Sequence, residues 1–97
     1  MTTSTPDIQT TPETGSRPLM LPPYAVILHN DDHNDMEHVV RSLLLCVPEI
    51  SPDQAVQIMF EAHQAGRALV IVCPLERAEL YRNRLESRGL TATIEKA

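Results

Sequence analysis

The break at Pro23 decides how much of this 97-residue chain can fold. Five of its eight prolines precede Tyr24, beside six threonines, and only five residues of that stretch are apolar. The other 74 residues hold 36 apolar ones. Ordering a residue costs roughly 1–2 kcal/mol, which so polar a leader cannot offset by burial. Residues 1–23 therefore read as a disordered tail, with Leu19, Met20 and Leu21 as a local apolar contact, and residues 24–97 as one domain. That domain is close to the lower size limit for folding without staples. Its two cysteines, Cys46 and Cys73, are too few for a disulfide scaffold or a four-thiolate zinc site. Both sit within apolar runs and read as small buried hydrophobes.

Within the domain the hydrophobic pattern changes period several times. Tyr24-Ala-Val-Ile-Leu-His29 is an unbroken apolar run ending in polar residues, the mark of a buried strand. Asn34 then serves as a helix cap, with Glu37 at the capping-box position. Met36, Val39, Val40, Leu43, Leu44 and Val47 follow helical spacing until Pro48. Ser51 and Pro52 open a second helix with Val56, Met59, Phe60 and His63 on its apolar face and Gly66 as its stop. Ala68–Cys73 is continuous and β-branched, which suits a central strand. Pro74 opens a third helix carrying Ala78, Tyr81 and Leu85, closed by Gly89. Leu90, Ala92 and Ile94 alternate with polar residues as a half-exposed strand. The order β-α-α-β-α-β predicts a small α/β sandwich, a three-stranded sheet with three helices.

Charge and run length exclude several function classes. The longest apolar runs fall far short of the ~18 residues of a membrane span. Thirteen acids against eight Lys and Arg give a net charge of −5, the wrong sign for a nucleic-acid footprint. No basic start precedes an apolar core near the N-terminus, so the expected compartment is the cytoplasm.

Chemistry concentrates at the junction from His29 to Glu37, with four acids between Asp31 and Glu37, and at His63. An enzyme is not expected, because no Ser, Thr or Cys on this loop completes a nucleophilic triad with Asp31 or Asp32 and His63. A calcium loop started at Asp31 would place Met36 where glycine is needed and Ser42 where glutamate is needed. A zinc site from two of the histidines plus His63 stays open at this point, while His33 and His38 read as solvent-facing. A third reading is a site for a free α-amino group on a bulky apolar residue. Acids would hold the ammonium, Asn30 and neutral His63 would accept hydrogen bonds, and Met36, Val39 and Met59 would wall the side chain. The residues alone equally allow Asp31 and Asp32 to satisfy a turn and His63 to be a core histidine.

Over Pro23 to Ala97 the chain resembles the ClpS family, adaptors that deliver N-degron substrates to Clp-type AAA+ unfoldases. The resemblance rests on Asn30-Asp31-Asp32, Met36-Glu37, Val39, Met59-x-x-x-His63-x-x-Gly66-Arg67 and the terminal Glu95-Lys96-Ala97. It implies that Asn30, Asp31 and His63 bind the substrate's α-amine and that Asp32 shapes the loop. It further implies that Met36, Val39, Met59 and Leu90 line the side-chain cavity, with Met36 excluding β-branched Val and Ile. The expected partners are N-degron proteins and a ClpA- or ClpC-type unfoldase, without cofactor or metal, the chain acting as a monomer. Asn34-Asp35 stands where many members have Thr-Pro, and His38 replaces an aromatic or aliphatic residue. Asn34 is thus expected at the pocket rim, tilting preference toward Leu over large aromatics. Glu76 matches an unfoldase-docking acid, and Tyr81 stands where the ClpA-binding pattern has Lys. The resemblance also implies that the tail takes part in hand-over.

Overall fold

A computed structural model describes residues 21–97, and the expected tail, apart from its last three residues, lies outside them. The elements are β1 (Pro23–His29), α1 (Met36–Cys46), α2 (Pro52–Ala65), β2 (Arg67–Pro74), α3 (Leu75–Ser87) and β3 (Thr91–Lys96). This is the β-α-α-β-α-β order that the hydrophobic pattern predicts. The strands form one antiparallel sheet in the order β2-β1-β3. Strand β1 already includes Pro23, whose carbonyl accepts the Ala97 N–H at 3.1 Å, so the expected boundary moves by one residue.

The middle strand is β1, and this corrects the expectation that Ala68–Cys73 is central. Only β1 has hydrogen-bonded neighbours on both sides, and its Ala25–Leu28 run is buried throughout. Strand β2 is an edge. Its Ala68, Val70 and Cys73 turn inward, while Leu69 and Val72 remain exposed. The β1–β2 register shifts between Val26 and Ile27, an irregularity of the kind that discourages further strand addition at an edge.

The core joins Val26 and Leu28 of β1 to Leu43, Cys46 and Val47 of the first helical segment. Ala55, Ile58 and Ala62 of α2 and Ala78, Tyr81 and Leu85 of α3 complete it. Helix α2 therefore buries its alanine-rich face, not Val56, Phe60 and His63 as its larger side chains suggest. The expected caps at Ser51 and Gly66 are present: Ser51 Oγ accepts the Gln54 N–H and Gly66 adopts φ 91°. Both cysteine thiols are free and buried, and burial raises their pKa above the ordinary value.

Tyr81 is 4% exposed, and its hydroxyl donates to the Glu49 carboxylate at 2.6 Å. Arg77 pairs with the same carboxylate at 2.7 Å. The Tyr81 ring belongs to the core with Ala78 and Leu85, although Tyr81 stands where the ClpA-binding pattern has Lys. The Tyr81 hydrogen bond, then Arg77, holds the Glu49 carboxyl below its ordinary pKa. A lowered folded-state pKa contributes stability above the unfolded carboxylate value near ~4.3, lost as pH falls through the folded value. The Tyr81→Phe variant should therefore be less stable than the parent at neutral pH. In urea melts from pH 7 down to pH 2 the gap should narrow below about pH 4. A gap that stays constant over that range would contradict the linkage.

Candidate functional site

The site forms where β1 breaks into a polar loop. The backbone N–H of Asn30 donates to the Gly66 carbonyl at 3.0 Å, so the turn that ends α2 fixes where the loop begins. Asp31 then organises it. Its Oδ1 accepts the backbone N–H groups of His33 at 3.0 Å and Asn34 at 3.2 Å. Asn34 Nδ2 donates to Oδ1 at 3.0 Å and approaches Oδ2 at 3.2 Å. The same amide reaches across to the Gly89 carbonyl at 2.9 Å, tying the loop to the α3–β3 turn.

These bonds correct the expected cap. With its side chain engaged by Asp31 and Gly89, Asn34 does not cap α1. Asp35 does, accepting the His38 N–H at 2.7 Å. His38 is also not solvent-facing. Its Nε2–H donates to the Arg88 carbonyl at 2.8 Å, and Arg88 Nε donates to buried Ser42 at 2.8 Å. The head of α1 and the end of α3 are thereby held together, which positions Leu90 just beyond the turn.

Between these segments lies a cavity of about 340 Å³. Its apolar wall is Leu28, Val39, Met59, Ala62 and Leu90, with Met36 at the edge. Its polar side is His29, Asn30, Asp31, Asp32, Asn34, Asp35 and His63. All nine expected pocket and amine-site residues face this one space: Asn30, Asp31, Asp32, Asn34, Met36, Val39, Met59, His63 and Leu90. His63 sits exposed at the mouth, which corrects its expected place on the buried face of α2. Leu28, His29, Asp35 and Ala62 complete the lining without having been expected. Ala62 had a readable signal, since it follows Met59 by three positions and so shares its helical face. His29 hydrogen-bonds Thr93 at 2.7 Å, a contact that only the sheet register reveals.

Three acidic residues, Asp31, Asp32 and Asp35, line the same space as the apolar wall. Such a space suits a cation attached to a hydrophobic group. Its volume is at the low end for ligand sites, about 300–1,000 Å³, which fits one amino-acid residue and little more. Among the described residues no three His, Cys, Asp or Glu side chains converge to hold a metal ion. No helix there is long and apolar enough to cross a membrane. Glu76 lies away from the cavity, exposed in the first turn of α3.

Comparison with known proteins gives a consistent result. Residues 20–93 match the family described as ATP-dependent Clp protease adaptor protein ClpS. The chain is 50% identical over 84 residues to the ATP-dependent Clp protease adapter protein ClpS of Synechococcus elongatus, covering 87% of this chain and 88% of that one. It is 51% identical over 74 residues to the chloroplastic adapter CLPS1 of Chlamydomonas reinhardtii, covering 76% of this chain and 46% of that longer one. Agrobacterium tumefaciens ClpS2, solved bound to L-phenylalaninamide, superposes with a TM-score of 0.75 at 30% identity, over 80% of this chain and all of that one.

Proposed function

This chain belongs to the ClpS family and is thus an adaptor of the Clp protease, not an enzyme; on that premise we propose that it captures proteins by a free α-amine on a bulky hydrophobic first residue and delivers them to a Clp AAA+ unfoldase. The observation that carries this reading is the joining, in one cavity, of an anionic mouth and an apolar wall sized for one residue. L-Phenylalaninamide, the ligand of the Agrobacterium relative, has the same two features, a free α-amine and a large apolar side chain.

In this reading the ammonium meets Asn30 Oδ1, the Asp31 carboxylate and the unprotonated nitrogen of His63. Asp32 shapes the mouth. The first side chain packs on Val39, Met59 and Leu90, and Met36 at the edge excludes branching at Cβ. Burying a leucine side chain contributes about 1.5–3 kcal/mol. Each hydrogen bond to a charged group contributes about 1.5–3 kcal/mol. Micromolar binding needs about −8 kcal/mol, so neither half suffices alone.

Docking to the unfoldase is assigned to the exposed Glu76 side of α3, without Tyr81. The partner in this reading is a Clp unfoldase of ClpA or ClpC type. The chain acts as a cytoplasmic monomer without a cofactor, and the N-terminal tail assists hand-over. Fluorescence anisotropy with peptides differing only in the first residue tests the reading. Leu, Phe, Tyr and Trp should bind, with Leu favoured, and Val, Ile, Arg and Ala should bind at least about tenfold more weakly. Equal binding of Ala or Arg would refute it.

A further inference from the structure

A second cavity of about 440 Å³ adjoins the first. Met36, Val40 and Leu44 of α1 and Met59 of α2 wall it, and Glu37 and Arg41 rim it. Met36 and Met59 belong to both linings, and Met36 is 44% exposed between them. Positions 36, 40 and 44 repeat every four residues, so they form a single stripe along α1. Val40 and Leu44 are only half-buried, although helical spacing alone assigns them to the core face. At 1.5 Å per residue, the stripe runs about 12 Å from the first cavity to Leu44. An extended chain covers that distance in about four residues.

We propose that this groove takes apolar side chains a few positions after the first residue of the same bound substrate chain. The inference rests on the reading of the first cavity as the seat of that first residue. Continuity identifies the occupant, because a chain anchored in the first cavity meets Met36 on leaving it, and Met36 is also the near wall of the groove. Two methionines suit a site that must accept different side chains, since the unbranched thioether adapts its shape. The Arg41–Glu37 pair, at 3.0 Å and more than half exposed on both sides, forms a solvated charged rim beside the apolar side chains of the groove. A second copy of the chain is a poorer occupant. A 12 Å stripe offers far less than the roughly 800 Å² per partner of a stable interface.

The test uses two Leu-initiated peptides, one with only Gly and Ser after the first residue and one with Leu also at positions 3 and 5. Anisotropy titrations on the parent should favour the apolar tail by about fivefold. In Leu44→Gln, and in the near-isosteric Val40→Thr, that advantage should fall below about twofold while the Gly/Ser peptide keeps its parent affinity. The Gly/Ser peptide thus reports that the variants are folded. Equal affinities in the parent, or an advantage that survives both substitutions, would overturn the groove and leave the first cavity intact. Failure of both peptides to bind would overturn the first-cavity reading and the groove with it. A dimer in sedimentation equilibrium that Leu44→Gln dissociates would make the occupant a second copy, and would also overturn the proposal.

Discussion

Asp31→Ala should weaken binding of a Leu-initiated peptide by at least about thirtyfold, the loss of a charge-assisted hydrogen bond and of the loop that presents it. The carboxylate accepts two backbone N–H groups and the Asn34 amide. Without it the loop loses its organising acceptor, and Asn34 keeps only Gly89. Asp31→Asn separates the two contributions. An amide oxygen can still accept the His33 and Asn34 N–H groups, but it carries no charge for an ammonium ion. We expect about a tenfold loss for this variant in calorimetric titration. Full affinity in Asp31→Asn would assign the ion pair to Asp32 and leave Asp31 as a loop organiser.

Leu43→Ala should be the most damaging substitution to stability. Leu43 is fully buried at the centre of the core and sits on the helix that carries Met36 and Val39. Buried Leu→Ala changes cost about 2–5 kcal/mol, depending on how far the cavity collapses. A domain this small shifts in Tm by about 4–8 °C per kcal/mol. Thermal melts should therefore show a drop of about 10 °C or more. A drop under about 4 °C would mean that α1 repacks freely around the missing side chain, contrary to the core described above.

The residues explain which parts of this structure were legible beforehand. Element order was readable because each transition carries a local signal: Ser51 and Pro52 at the start of α2, Gly66 and Gly89 with positive φ after helices. Strand position was not. Six consecutive apolar residues in Ala68–Cys73 report total hydrophobicity, whereas centrality depends on which neighbours pair, and β1 has both. The buried face of α2 is Ala55, Ile58, Met59 and Ala62, of which the expected face holds only Met59, because Val56 and Phe60 stand out as large apolar residues while the small alanines do not. The cap of α1 shifted by one residue because Asn34 has a competing use. Its contact with Gly89 spans 55 positions, and no short-range pattern contains it. Tyr81 shows the same limit, since its partner Glu49 lies 32 positions away. The cavity was legible partly from the residues, which already join Asn30, the acids and His63 to Met36, Val39 and Met59; the resemblance adds Leu90, and Asn34 enters as a departure from the family pattern. The groove beside it was not, since Val40 and Leu44 look like core positions in any helical projection.

Titration of one Leu-initiated peptide with a free α-amine against its Nα-acetylated twin tests the central claim most directly. Acetylation removes the positive charge and leaves the leucine side chain unchanged. The free-amine peptide should bind saturably, in the micromolar range or tighter, and the acetylated one should lose at least about a hundredfold in affinity. Equal binding of the two would show that the acidic mouth does not read the N-terminus, and the account of this cavity would be wrong.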